Sequence, residues 1–111
     1  MFKGSWLQLI VLRILYETPT HGYKLLEKVN TLMAGRRKLK PGSLYTILRR
    51  MEHSGLLNSI WEKPDNSRDH RTYNLTEKGL EMLRRGKTMI EDQQEVLNEL
   101  AKFYKLHFVD E

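Results

Sequence analysis

A mainly α-helical domain carrying one small β-hairpin is the fold class predicted by this 111-residue sequence. Three observations carry that expectation. Leu44, Ile47, Leu48 and Met51 recur at helical spacing between Pro41 and Gly55. Beyond Gly55 the pattern changes to the alternation of strands, and from Thr76 onward apolar residues return at every seventh position. Periods of 3.6, 2 and 3.5 residues are the marks of an amphipathic helix, a half-buried strand and a helical packing seam.

Ser5 to about Glu17 predicts a first helix whose apolar residues, from Trp6 to Tyr16, occupy nearly every side. A helix apolar all round must be covered all round, so its spare surface is expected to meet a second subunit. Thr18-Pro19-Thr20 breaks the chain. Thr20 is expected to cap a second helix from about His21 to Met33, with Leu25, Leu26, Val29 and Met33 turned to the core. Ala34-Gly35 ends it, and Arg36 to Lys40 form a basic connection.

The third helix starts at Pro41, tolerated there because its missing N–H would be unpaired in a first turn. It stops at Gly55, which can adopt the left-handed conformation. Burying Leu44, Ile47, Leu48 and Met51 leaves Ser43, Tyr45, Thr46, Arg49 and Arg50 on the other side, residue types that contact phosphates and base edges. Tyr45 has a competing expectation as a half-buried ring under the hairpin. Arg50 has one as an ion-pair partner of Glu27 or Glu52.

Leu57, Ser59 and Trp61 alternate with Asn58, Ile60 and Glu62, and Arg71, Tyr73 and Leu75 alternate with Thr72 and Asn74. The intervening Lys63-Pro64-Asp65-Asn66-Ser67-Arg68-Asp69-His70 is rich in turn formers, which predicts a hairpin with a long loop. Two small helices, a basic-faced third helix and a hairpin are the order of a winged helix-turn-helix. The tip brings Lys63, Arg68 and His70, which could reach an adjacent groove or phosphate.

Thr76 is placed to cap a last helix running to about Lys105, with Leu106 to Glu111 fraying beyond it. Leu83, Ile90, Leu97 and Tyr104 form one seven-residue stripe, and Met82, Met89, Val96 and Phe103 another. Gly79, Gly86, Gln93 and Gln94 interrupt it, so irregular packing against another helix is expected. The expected division is residues 1–75 as the winged helix-turn-helix unit and 76–111 as a dimerisation helix within the same compact body. Expected interface residues are Trp6, Ile10, Leu83, Met89, Ile90, Val96, Leu97, Phe103 and Tyr104.

Net charge is +5, unevenly spread. Residues 1–75 hold 13 Lys/Arg against 6 Asp/Glu, whereas residues 76–111 hold 6 against 8. Arg36, Arg37, Lys38, Lys40, Arg49 and Arg50 follow one another without an intervening acid. One part of the chain is thus suited to a polyanion and the other to a different partner.

Absence of cysteine excludes disulfides, thiolate metal sites and cysteine nucleophiles. The four histidines, His21, His53, His70 and His107, are dispersed, no acidic cluster accompanies them, and no glycine-rich phosphate loop occurs. No metal, cofactor or catalysis is therefore expected. No apolar run approaches a membrane span or a secretory signal, and a cytoplasmic protein is expected.

Several segments together resemble the PadR family of winged-helix transcriptional regulators. Lys3-Gly4 before the apolar first helix, Thr20-His21-Gly22-Tyr23, Pro41-Gly42-Ser43-Leu44-Tyr45 followed by Arg50-Met51-Glu52 and Gly55-Leu56-Leu57, and Arg71-Thr72-Tyr73-Asn74-Leu75-Thr76-Glu77-Lys78-Gly79 occur in the family's order. The single last helix is similar to the compact branch. The resemblance implies a cytoplasmic homodimer that binds operator DNA, often as a repressor relieved by a small effector. It also implies Ser43 and Tyr45 as recognition-helix contacts, with Gly42 permitting close approach. The sequence departs from the family at the wing tip, where Asn66-Ser67-Arg68-Asp69-His70 replaces a Gly-Arg/Pro-rich segment, and in the last helix, which has no tryptophan.

Double-stranded operator DNA is accordingly the expected partner. Arg36, Arg37, Lys40, Gly42, Ser43, Tyr45, Thr46, Arg49, Arg50 and Arg68 are its expected contacts. Trp6, Tyr16, Met82, Met89 and Phe103 could line a cleft for a flat apolar effector, because methionines and aromatics adapt to such ligands. A rival function is a winged-helix adaptor for protein-protein association, in which the basic segment only confers solubility.

Overall fold

The computed structural model describes residues 2–33, 38–62 and 70–109. Seven elements follow one another: α1 (Phe2–Glu17), β1 (Thr20–His21), α2 (Gly22–Leu32), α3 (Pro41–His53), β2 (Leu57–Glu62), β3 (His70–Leu75) and α4 (Glu77–His107). This is a winged helix-turn-helix extended by one long helix, as the periodicities predict. At about 1.5 Å per residue, the 31 residues of α4 make the molecule elongated, with extents of 60 × 28 × 21 Å.

The core gathers one stripe from each element of the winged unit. Val11, Leu12, Ile14 and Leu15 of α1 meet Leu25 and Val29 of α2, Leu44, Leu48 and Met51 of α3, and Leu56, Leu57 and Tyr73 around the sheet. Ile47, Leu26 and Met33 pack partly buried at its edge. The Ser54 and Gly55 N–H groups bond back to the Arg50 and Glu52 carbonyls. Gly55 then takes φ 83°, the left-handed turn that releases the chain into β2.

The sheet has a third strand that the sequence pattern did not predict. Thr20 and His21 pair antiparallel with Tyr73 and Thr72, giving the order β1-β3-β2. Thr20 is therefore a buried strand residue and not the cap of α2. The cap is His21, whose Nδ1 accepts the Lys24 N–H at 3.5 Å, so α2 begins one residue later than expected. A two-residue strand has no period of its own, and threonine suits a ladder as well as a cap. In the main hairpin, Ser59 faces Tyr73, Trp61 faces Arg71 and Glu62 faces His70.

The Thr76 hydroxyl oxygen accepts the Gly79 N–H at 3.0 Å, and its proton goes to the Gly55 carbonyl at 2.6 Å. The expected cap thus also ties α4 to the end of α3. Helix α4 reaches His107, two residues past its expected end. The glycines that break the seven-residue pattern are its buried contact points. A Cβ on Gly79 would strike the Leu56 carbonyl oxygen, and one on Gly86 would lie 2.7 Å from Leu9 Cδ2. Seven residues further on, Gln93 Oε1 accepts the Trp6 indole N–H at 2.8 Å. Among the described residues, no helix is long and apolar enough to cross a membrane, and no group of three or more metal-ligating side chains forms.

Candidate nucleic-acid interface

Helix α3 presents the polar side expected of it. Pro41, Gly42, Ser43, Tyr45, Thr46, Arg49 and Arg50 are exposed, while Leu44 and Leu48 one turn apart are buried. Its entry is fixed from α2. Asn30 accepts the Leu39 N–H at 2.7 Å through Oδ1 and donates Nδ2 to the Leu39 carbonyl at 3.4 Å, satisfying both backbone groups of one residue. Exposed Lys40 follows as the N-cap residue, with extended backbone and no side-chain cap of its own. Gly42 has nothing within 4 Å of where a Cβ would stand, so its surface is open to an approaching molecule. Thr46 Oγ1 donates to the Gly42 carbonyl at 2.9 Å on the exposed side of the helix.

Tyr45 is 43% exposed, and its ring lies across Gly22: a Cβ there would be 2.7 Å from the Tyr45 hydroxyl oxygen and 2.8 Å from Cε1. The Thr20-His21-Gly22-Tyr23 and Pro41-Gly42-Ser43-Leu44-Tyr45 segments thereby form one unit, with Gly22 as the floor that lets the ring lie down. The ring is thus half packed, over the start of α2 where the expectation put it under the hairpin, and the rest of it is exposed.

Tyr45 also borders a cleft of about 420 Å³ between the starts of α2 and α3 and the hairpin, lined by His21, Gly22, Tyr23, Tyr45, Trp61, His70, Arg71 and Tyr73. The His21 and His70 rings lie 4.6 Å apart, and the Arg71 guanidinium sits 4.8 Å from the Trp61 ring centroid. Burial pushes the Tyr73 hydroxyl pKa up, with neighbouring Arg71 opposing the shift. Glu52 pairs with Arg71 at 4.0 Å and accepts from Ser59 Oγ at 2.6 Å, so this carboxylate engages the hairpin and not Arg50.

Arg71, Trp61 and Glu52 are functional candidates that the sequence pattern alone did not single out. The signal was present in the alternation, which places Ser59, Trp61, Arg71 and Tyr73 on one face of the hairpin. Arg36, Arg37, Lys63 and Arg68 lie outside the described residues.

A second concavity, a groove of about 720 Å³, runs between α1 and α4. Trp6, Leu9, Ile10, Leu83, Gly86, Ile90 and Leu97 form its walls, with Arg13, Lys87 and Glu91 among the polar residues lining it. Of the five residues expected around an effector, Trp6 lines this groove, whereas Tyr16, Met82, Met89 and Phe103 do not. Gly86 and Gln93 sit against α1, which turns the Met82/Met89 stripe to one side. Past the groove α4 leaves the body, and Val96, Leu97, Leu100, Phe103 and Tyr104 are 48–59% exposed.

Compared with known proteins, residues 11–85 match the model of the transcriptional regulator PadR-like family. No protein of curated function matches in sequence. Among solved structures, a PadR family transcription regulator from Clostridium difficile is 26% identical with a TM-score of 0.73, covering 86% of this chain and 98% of that one. A PadR-like transcriptional regulator from Bacillus cereus is also 26% identical with a TM-score of 0.73, over 86% and 90% of the two chains. A candidate regulator from Thermoplasma acidophilum, 21% identical, superposes with a TM-score of 0.82 over 91% and 95% and speaks to the fold alone.

Proposed function

The chain belongs to the PadR-like family of transcriptional regulators, and from that premise we propose that it is a homodimeric, sequence-specific DNA-binding repressor controlled by a small apolar effector. It is a regulator and not an enzyme. The observation that carries DNA recognition is the outward side of α3, where Ser43, Tyr45 and Thr46 stand exposed beside Lys40, Arg49 and Arg50. Such a side enters a major groove with its first turn, while the cations hold phosphates. Residues 1–75 then serve as the reading unit and residues 76–111 as the dimerisation helix.

Pairing through α1 and α4 is supported by the half-exposed apolar residues of both helices, Trp6 and Ile90 among them. Two recognition helices so joined would address half-sites about 34–36 Å apart. In that dimer, the part of the groove beside Trp6 that the partner's helix leaves uncovered is the place for an effector of flat apolar shape, since its walls are almost wholly apolar and charged side chains line it as well. Repression is the mode that the family resemblance implies, and a promoter-reporter assay tests it by a rise in expression when the gene is deleted.

Affinity is tested through its salt dependence. An Arg36→Ala/Arg37→Ala/Lys40→Ala variant is expected to bind every duplex more weakly, its plot of log K against log salt shallower by about 0.9 for each phosphate it no longer neutralises. An unchanged slope would remove these residues from the interface. Selectivity is tested separately. Tyr45→Ala is expected to reduce discrimination between operator and unrelated duplex, on the order of the 1–3 kcal/mol that a good base contact provides. Gly22→Ala should reproduce part of that effect, because its methyl group displaces the ring. Circular dichroism must show both variants folded, and equal discrimination in folded Tyr45→Ala would assign the ring to packing.

A further inference from the structure

We propose that Glu52 is the positioning residue that holds the wing against the recognition helix, so that one carboxylate determines where the hairpin meets DNA. The inference rests on the DNA-binding reading above and concerns a residue that need not touch DNA.

Among its described residues, the hairpin has a core only at its base. Leu57 and Tyr73 are its buried residues, whereas Ile60 and Trp61 further out are 55% and 65% exposed. Apolar packing therefore cannot fix the direction of the outer half, and a hairpin without a packed face is marginal in water. On the recognition-helix side, the restraint among the described residues is the Glu52 carboxylate. One oxygen accepts from Ser59 Oγ on β2 at 2.6 Å, and the other lies 4.0 Å from Arg71 Nη1 on β3. Arg71 in turn lies against Trp61, its cross-strand partner. A single side chain of α3 thus reaches both strands and, through Arg71, the exposed end of the hairpin.

Electrostatics makes this placement informative. A carboxylate beside a surface that receives a polyanion lowers affinity by repulsion, and it draws on the charge of Arg71 that a phosphate would otherwise attract. Its presence is accounted for by what it holds. Two effects of removing it therefore have opposite signs. If Glu52 acts only through charge, Glu52→Gln binds DNA more tightly. If it positions the wing, Glu52→Gln binds more weakly.

The test measures operator affinity and hydroxyl-radical footprints for the wild type, Glu52→Gln and Ser59→Ala, the last of which changes no charge. Both variants are expected to weaken binding about tenfold, Ser59→Ala by losing a charge-assisted hydrogen bond and Glu52→Gln by reducing it to a neutral one and releasing Arg71. Each should lose the protected phosphates flanking the recognition-helix footprint while keeping that footprint. Hydrogen exchange on the free proteins supplies a measurement independent of DNA. Amides of Ile60, Glu62 and His70, which lie on the outer ladder, should exchange faster in both variants, with those of Asn58 and Asn74 unchanged. Tighter or unaltered binding by Glu52→Gln, or unaltered exchange at Ile60, Glu62 and His70, would overturn the positioning role. A wild type that binds no duplex, with faster exchange in the variants, would instead overturn the DNA-binding reading and leave Glu52 as the strut of the hairpin.

Discussion

Alanine in place of Gly79 is expected to destabilise the fold by about 2–3 kcal/mol, the upper part of the range for forcing extra atoms into a packed site, which corresponds to roughly 10 °C in melting temperature. The added methyl group would strike the Leu56 carbonyl oxygen, with Leu75 Cδ1 only 3.0 Å away on another side. Neither the Leu56 backbone nor the start of α4 can yield. The Leu56 carbonyl accepts the Thr76 N–H at 3.2 Å, Thr76 Oγ1 donates to the Gly55 carbonyl, and Lys78 Nζ donates to the Ser54 carbonyl at 2.8 Å. Moving α4 outward by the width of a methyl would break several of these bonds together. Gly86→Ala provides the internal comparison. Its new atom would meet the end of the Leu9 side chain, which can change rotamer, and the expected loss is about 1 kcal/mol or less. Thermal melts followed by circular dichroism at one fixed protein concentration check the pair, because the proposed self-association would make the midpoint concentration-dependent. Equal losses at the two positions would show that the Gly55-to-Gly79 junction is not the rigid anchor inferred for it.

These two glycines also show what the sequence could and could not convey. Helices, hairpin and the outward residues of α3 were legible because each is dictated by a period, and periods survive in one dimension. Gly79, Gly86 and Gln93 stood out only as interruptions of a seven-residue stripe, yet they are spaced by seven themselves and form the line along which α4 meets Leu56, Leu9 and Trp6. An absent side chain and a polar one have no hydrophobic signature, so close approach reads as a flaw in the pattern. The strand at Thr20 and His21 was hidden for a related reason, being too short to alternate. At the candidate interface, Ser43, Tyr45, Thr46, Arg49 and Arg50 were placed correctly on the outside of α3. What escaped were couplings between elements: Tyr45 with Gly22, and Glu52 with Ser59 and Arg71. Such pairs join residues whose sequence separation says nothing of their distance until the hairpin is folded back.

Substituting glutamate for Leu97 is expected to convert a dimer into monomers and to lower operator affinity by about 10²–10⁴-fold, the factor that disappears when two linked binding events become independent. Leu97 lies where the groove between α1 and α4 gives way to the free length of the helix. It is 53% exposed, as are Leu100 at 50%, Phe103 at 48% and Tyr104 at 58%. Leu97, Leu100 and Tyr104 recur at spacings of three and four, so they share one helical face. A contiguous apolar face of this kind marks an association surface. A second copy is the occupant that fits, because each chain offers both the protruding face and a groove with apolar walls beside Trp6 and Ile10. In the proposed dimer a twofold arrangement would satisfy both at once, each α4 covering the other chain's α1. Glutamate at Leu97 would place a charge in that interface with no partner, while in a lone subunit it would simply face water. The variant should therefore keep its far-ultraviolet circular dichroism and its weak, non-specific attraction to DNA, and lose only what depends on two reading helices acting together. Sedimentation velocity and operator titration of the same preparations decide the matter. A Leu97→Glu chain that still sediments as a dimer would place the interface elsewhere, and a monomer with undiminished operator affinity would show that one recognition helix suffices.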